Sequence, residues 1–208
     1  SFFDKNGMIV NTLTNQNKDS IHKQDYNLEL SEFTSNNAAK ATSKKGYNRF
    51  RWNLRHKGIK GKDKEENING PLVKPGKYKV QILVDNKYKI EDEILILKDP
   101  NTVITESDFE KAEELQLKII NKIREAKSIA DEIQTSISSK KFRKSKYAPL
   151  KQKLDMLVTK QGTYMQPMLI DQMKYLYGMI SKADQILGND AYKRFNDLSL
   201  ELENIKKL

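Results

Sequence analysis

Two hydrophobic rhythms divide the chain. Up to about residue 100 apolar side chains alternate with polar ones in short runs; beyond it they recur every three or four positions. The first rhythm suits half-buried strands, the second amphipathic helices. Asp99-Pro100-Asn101 lies at the switch, and Pro100 disfavours continuation of either element. The expected organisation is therefore residues 1–100 as a strand unit and 101–208 as a helical unit.

In the first unit, Phe2-Phe3 and Met8–Leu13 flank Asp4-Lys5-Asn6-Gly7, a turn sequence ending in Asn-Gly. This predicts a hairpin. Residues 14–45 are rich in Asn, Ser, Thr and Lys and read as a long polar insertion, with a short strand at Tyr26–Leu30. Asn48 to Arg55 alternates, so Phe50, Trp52 and Leu54 are expected in the core, with arginines on the opposite face. Residues 56–71 read as a second polar loop. Pro75-Gly76 opens another alternating strand bearing Tyr78, Val80 and Ile82 as core residues. Asp85-Asn86 turns the chain into a last strand with Tyr88, Ile90, Ile94 and Ile96. Short antiparallel strands with close turns and aromatic core residues predict an Ig/fibronectin-like β-sandwich.

The second unit opens on Ser107-x-x-Glu110, read as a capping box. Ala112, Leu115, Ile119, Ile123, Ala126, Ala130, Ile133 and Ile137 then form one apolar stripe. They predict a helix over 107–138, about 45 Å long. A basic connector (Lys140, Lys141, Arg143, Lys144, Lys146) follows. Pro149, Pro167 and the Gly188-Asn189-Asp190 run mark the starts of further helices, and Gly188 marks the end of the third. The whole reads as α+β: a sandwich followed by an antiparallel bundle of three to four helices.

Composition narrows the chemistry. Without cysteine and with two histidines, the chain excludes disulfides, thiolate nucleophiles and multi-histidine metal sites. Its net charge is +10, split as +6 over residues 1–100 and +4 over 101–208. A charge so evenly spread argues against a dedicated nucleic-acid surface. Mean hydropathy is −0.76, and no run of about 18 apolar residues suggests a membrane span. No catalytic constellation emerges. Glu65-Glu66 and Asp92-Glu93 are adjacent, so their side chains point apart on an extended chain. His22 and His56 sit in polar, loop-like segments. Gly58-x-x-Gly61 lacks the Lys-Ser/Thr of a phosphate loop, and Asp4-x-Asn6-Gly7 lacks the distal ligands of a calcium loop. No enzyme activity and no cofactor are expected.

The most charged stretch is 33–62, which holds nine Lys and Arg and no Asp or Glu. Arg49, Arg51, Arg55 and Lys57 are the candidate interaction residues, facing an acidic partner such as a glycan or a neighbouring domain.

The motif order carries a resemblance. Asp4-Lys5-Asn6-Gly7-x-Ile9-Val10-x-x-Leu13 resembles the opening hairpin of flagellar-hook-cap-type Ig-like domains. Gly46-x-Asn48-Arg49-Phe50-x-Trp52-Asn53-Leu54-Arg55, Gly70-Pro71, Pro75-Gly76-x-Tyr78-x-Val80 and Lys98-Asp99-Pro100 follow in order. Gln166-Pro167-Met168-Leu169-x-Asp171-Gln172-x-x-Tyr175-Leu176-Tyr177 and Ala183-Asp184-Gln185 continue it through the helices. Together these resemble the C-terminal region of bacterial sortilin-like (BNR/Asp-box) β-propeller proteins, often labelled glycosyl hydrolases. The resemblance implies a sandwich whose first strand would precede Ser1. It also implies an extracytoplasmic setting and a non-catalytic role beside an upstream propeller or a partner protein. Any hydrolase activity would belong to the propeller, which this sequence does not contain.

Overall fold

The computed structural model describes residues 1–14, 45–49, 51–61, 66–85, 87–139, 147–162 and 164–208. They form an α+β protein of two compact units, Ser1–Asn101 and Thr102–Leu208. Residues 15–44 of the expected insertion, with its Tyr26–Leu30 strand and His22, together with Phe50, Glu65 and the basic connector at 140–146, fall outside the described residues.

The first unit contains β1 (Phe2–Phe3), β2 (Ile9–Asn11), β3 (Gly76–Val84) and β4 (Tyr88–Ile96) in one antiparallel sheet, ordered β2-β1-β3-β4. The turn between β1 and β2 is fixed by Asp4. Its Oδ1 accepts the N–H groups of Asn6 at 2.9 Å and Met8 at 2.8 Å, while its carbonyl accepts that of Gly7 at 3.0 Å. Gly7 has φ 78°, which glycine adopts without a Cβ penalty. The β3–β4 hairpin pairs nine residues, from Gly76 opposite Ile96 to Val84 opposite Tyr88.

Phe2, Val10, Val73 and Tyr78 are buried together, with Leu13, Trp52, Val80, Ile94 and Ile96 packed on them. Trp52 stacks on Phe2 with ring centroids 4.1 Å apart and meets Tyr78 edge-on at 5.8 Å. Both polar tips are satisfied. The Trp52 indole N–H donates to the Arg55 carbonyl at 2.9 Å, and the Tyr78 hydroxyl to that of Lys74 at 2.7 Å.

Three expectations need correction. The described residues from Asn48 to Arg55 form no strand, because Leu54 sits at φ 55° and breaks the pleat. Leu54 is consequently 39% exposed rather than core. Ile82, expected inside, is 36% exposed, because among the described residues the cluster around Phe2, Val10 and Tyr78 reaches along β3 only as far as Val80.

Residues 56–71 are also more ordered than a polar loop. The backbone from Leu54 to Ile59 runs antiparallel to Ile68–Val73. It is tied by Val73 N–H to Leu54 O and His56 N–H to Pro71 O, each at 2.9 Å, and by the reciprocal pair Ile59–Ile68.

The second unit contains α1 (Glu106–Ser138), α2 (Tyr147–Leu157), α3 (Leu169–Ile180) and α4 (Asn189–Lys207). The cap of α1 is Thr105, not Ser107. Asp108 N–H donates to Thr105 Oγ1 at 3.2 Å, and Asp108 Oδ2 accepts the Thr105 N–H at 3.1 Å. This is a capping box with Asp as the acidic partner, so a pattern limited to Glu or Gln misplaced it. The third helix stops at Ile180, eight residues before Gly188.

The α1 stripe buries Leu115, Ile119, Ile123, Ala126, Ala130 and Ile133; Ala112 and Ile137 are half-buried. From the other helices Leu157, Leu169, Met173, Leu198, Leu202 and Ile205 join them. Val158, just past α2, and Met179, within α3, are 41% and 53% exposed. Buried Gln116 donates to the carbonyl of Ile180 at 3.0 Å and so terminates α3 with a side chain of α1.

A four-charge cluster joins α1 to α4. Lys122 Nζ lies 2.9 Å from both Glu125 and Glu203, and Lys206 Nζ lies 2.7 Å from Glu125 and 2.9 Å from Glu203. The hydrogen bond from Lys122, then that from Lys206, pulls the Glu203 carboxyl down to about 2; the same two lysines, Lys206 first, lower Glu125. A carboxylate held below its unfolded value adds stability above that value and loses it as the folded group is protonated. The melting temperature of the helical unit should therefore be flat above about pH 5 and fall between about pH 4.5 and 2. Circular dichroism at 222 nm across that range tests this. Glu203→Gln should flatten the slope, and 1 M salt should weaken it. An identical slope in the variant would remove the cluster as its source.

Candidate interaction surface

The candidate basic residues lie on the segment that crosses from Trp52 to the irregular ribbon. Two anchors fix its backbone. The Arg55 carbonyl accepts the Trp52 indole N–H and, at 2.8 Å, the Asn11 side-chain amide. Two residues on, Lys57 N–H donates to Val10 O at 3.1 Å. The segment is thus bonded alongside β2 and covered from inside by Trp52.

Arg55 itself is half-buried, and its Nη1 donates to Gly70 O at 3.0 Å. That bond clips the two sides of the ribbon together and diverts this guanidinium from an outward role. Arg49, Arg51 and Lys57 are exposed, as are Lys45, Lys60 and the ring of Tyr47 at 91%. The described residues from 45 to 61 contain no acidic side chain. Chemically, this surface can attract carboxylates, sulfates or phosphates and can stack a planar group on Tyr47.

Of the residues assigned to the core, Tyr78 is buried, Trp52 and Val80 are half-buried, and Leu54 and Ile82 are open.

Sequence reasoning missed a second surface, the far end of the β3–β4 hairpin. Ile82 pairs with Ile90 and Val84 with Tyr88, and all four project on the face that further down carries Tyr78 and Ile94. All four are exposed.

The helical unit offers a shallow open groove of about 380 Å³ lined by Asp108, Lys111, Ile186, Leu187, Asn189 and Tyr192. Asp108 is committed there to the α1 cap, so the groove presents no free catalytic carboxylate. Among the described residues no three His, Asp or Glu side chains converge as a metal would need, and no helix is long and apolar enough to cross a membrane. Comparison with known proteins found no matching family model, no matching curated protein and no matching solved structure.

Proposed function

We propose that the chain is a non-catalytic structural and interaction module, the C-terminal part of an exported sortilin-like β-propeller protein. In that role it braces the propeller or contacts a partner protein in an extracytoplasmic setting. The observation that carries the reading is the ordered series of motifs, running from Asp4-Lys5-Asn6-Gly7 through Trp52 and Pro75-Gly76 to Gln166-Pro167 and Ala183-Asp184-Gln185. In this reading the sheet unit is of the Ig/fibronectin-like sandwich class. The exposed basic strip on a backbone pinned by Trp52 and Asn11 supports a recognition role, because a contact surface gains when its groups are held in place beforehand.

The test is the native protein. Immunoblotting and peptide mapping from the source should find a polypeptide several times 24.1 kDa with peptides upstream of Ser1. A native product of this mass beginning at Ser1 would overturn the reading.

The strip makes a separate prediction. Reversing Arg49 and Lys57 to Glu should slow association with the propeller or partner roughly tenfold at low salt and much less at 0.5 M. Both are exposed, so folding should be unaffected. Equal rates for the variant and the parent chain would remove the strip from the contact.

A further inference from the structure

The strand β4 forms one margin of the described sheet, with β3 between it and the other two strands. Ser1 and Gln81 exchange both backbone bonds, each at 2.8 Å, so Gln81 turns its N–H and C=O toward β1. These directions alternate along an antiparallel strand. Tyr78 and Gly76 therefore bond to their partners Ile94 and Ile96, while Glu93 and Leu95 turn their groups to the open margin. The middle of that margin is protected. Glu91-Asp92-Glu93 is an acidic run of the kind that guards edge strands, and Asp92 Oδ1 accepts the Glu93 N–H at 2.8 Å. At Leu95 the protection stops, and no described residue meets its N–H or C=O. Ile94-Leu95-Ile96-Leu97 is apolar at four successive positions, without the alternation of a strand that has one solvated face. Ile94 and Ile96 pack on the core. Leu95, on the face that carries Lys77, Lys79, Glu91 and Glu93, is 61% exposed, and Leu97, just past the strand, is 76% exposed.

We propose that Ile94–Leu97 is a self-association edge, taken by the same segment of a second copy running antiparallel about a two-fold axis at Leu95. Charge along the strand selects both occupant and register. With the axis at Leu95, the two Leu95 residues exchange both backbone bonds and Ile94 faces Ile96 on either side of them. Asp92 then faces the second copy's Lys98, twice over, and trades its bond to Glu93 for an ion pair. Neighbouring registers lack this match. An axis at Glu93 sets that carboxylate against itself, one at Ile94 sets Asp92 against Ile96, and one at Ile96 sets Glu93 against Asp99. The contact is the same on both copies, so it closes as a pair and does not propagate into a fibre. Nothing in it requires the propeller reading.

The experiment uses the absence of cysteine from the full chain. Leu95→Cys gives each molecule one thiol, and a reciprocally bonded pair sets the two Cα atoms about 5.5 Å apart, within disulfide range. Leu97→Cys is the control. It is the more exposed position, but it lies two residues off the axis on each copy, which separates its Cα atoms by about 14 Å. Under mild oxidation Leu95→Cys should cross-link at least tenfold faster than Leu97→Cys. Sedimentation of the parent chain should show a dimer that grows with concentration, and Leu95→Lys should abolish it. Asp92→Lys should weaken the dimer, and adding Lys98→Asp should restore it. Equal cross-linking rates at the two positions overturn the site. So does a parent chain that stays monomeric at every concentration, and so does slow amide exchange at Leu95 that is independent of concentration, which would assign the edge to another segment of the same chain.

Discussion

Gly70→Ala should unfold the sheet unit while leaving the helices intact. A Cβ at this position would lie 2.0 Å from the His56 carbonyl oxygen and 2.5 Å from its carbon, and one at Gly58 would lie 2.1 Å from the Ile68 oxygen. Neither glycine has a positive φ, so the requirement is one of space and not of backbone conformation. The obstructing atoms are main chain, which cannot swing aside as a side chain could. The two sides of the ribbon would have to part, breaking His56–Pro71 and Ile59–Ile68 and freeing Arg55 from Gly70. We expect a loss of about 3 kcal/mol or more for either substitution. The only tryptophan, Trp52, belongs to this unit, so its fluorescence reports the loss alone. The 222 nm signal reports the described helices, all of which lie in the other unit. A tryptophan transition within about 2 °C of the parent would sink the argument, since 1 kcal/mol moves a domain this small by roughly 4–8 °C.

The second large effect is Leu202→Ala in α4. Leu202 has no exposed surface and sits between Leu198 and Ile205, which are equally enclosed. Truncating it leaves a cavity in a helical core that cannot collapse fully, at a cost of about 2–5 kcal/mol. The melting temperature of the helical unit should fall by roughly 10–25 °C. Leu200→Ala is the internal comparison. It removes the same atoms from the same helix at a position 62% exposed, and should change stability by less than about 0.5 kcal/mol. Equal shifts for the two would mean that burial is not what α4 contributes.

Much of this architecture was legible because local rules agreed with tertiary ones. The Asp4–Gly7 turn, the β3–β4 hairpin and the α1 stripe each combine a turn or cap signal with a clean period. The failures are equally local. Asn48–Arg55 has a perfect alternation, but its partner strand is absent among the described residues. Its backbone is instead held by two side-chain donors from elsewhere, Trp52 and Asn11, converging on one carbonyl. No periodicity encodes that arrangement. Arg55 looked like a surface cation because its neighbours are cations, yet a glycine carbonyl 15 residues away captures it. The Thr105 cap was displaced by two residues because Ser107 satisfied the same pattern with Glu110. The candidate strip was legible as composition, an acid-free basic run, but which of its members face outward was not.

The bond between Ser1 and Gln81 also bears on the order in which the units can form. The two residues lie 80 positions apart, and among the described residues β3 is the long partner of β1. On the ribosome, at about 5–20 residues per second, β1 waits on the order of 4–16 s for β3 to emerge. Among the described residues that have emerged by then, Phe2 and Phe3 pair with β2, a marginal contact for an isolated hairpin. In the helical unit α1 carries its own start signal at Thr105–Asp108 and can form as it emerges, although its ion pairs with α4 close over 81 residues. Synthesis thus leaves an aromatic strand without its sheet for seconds, and that interval is when a chaperone, or a strand already folded ahead of it, would matter most.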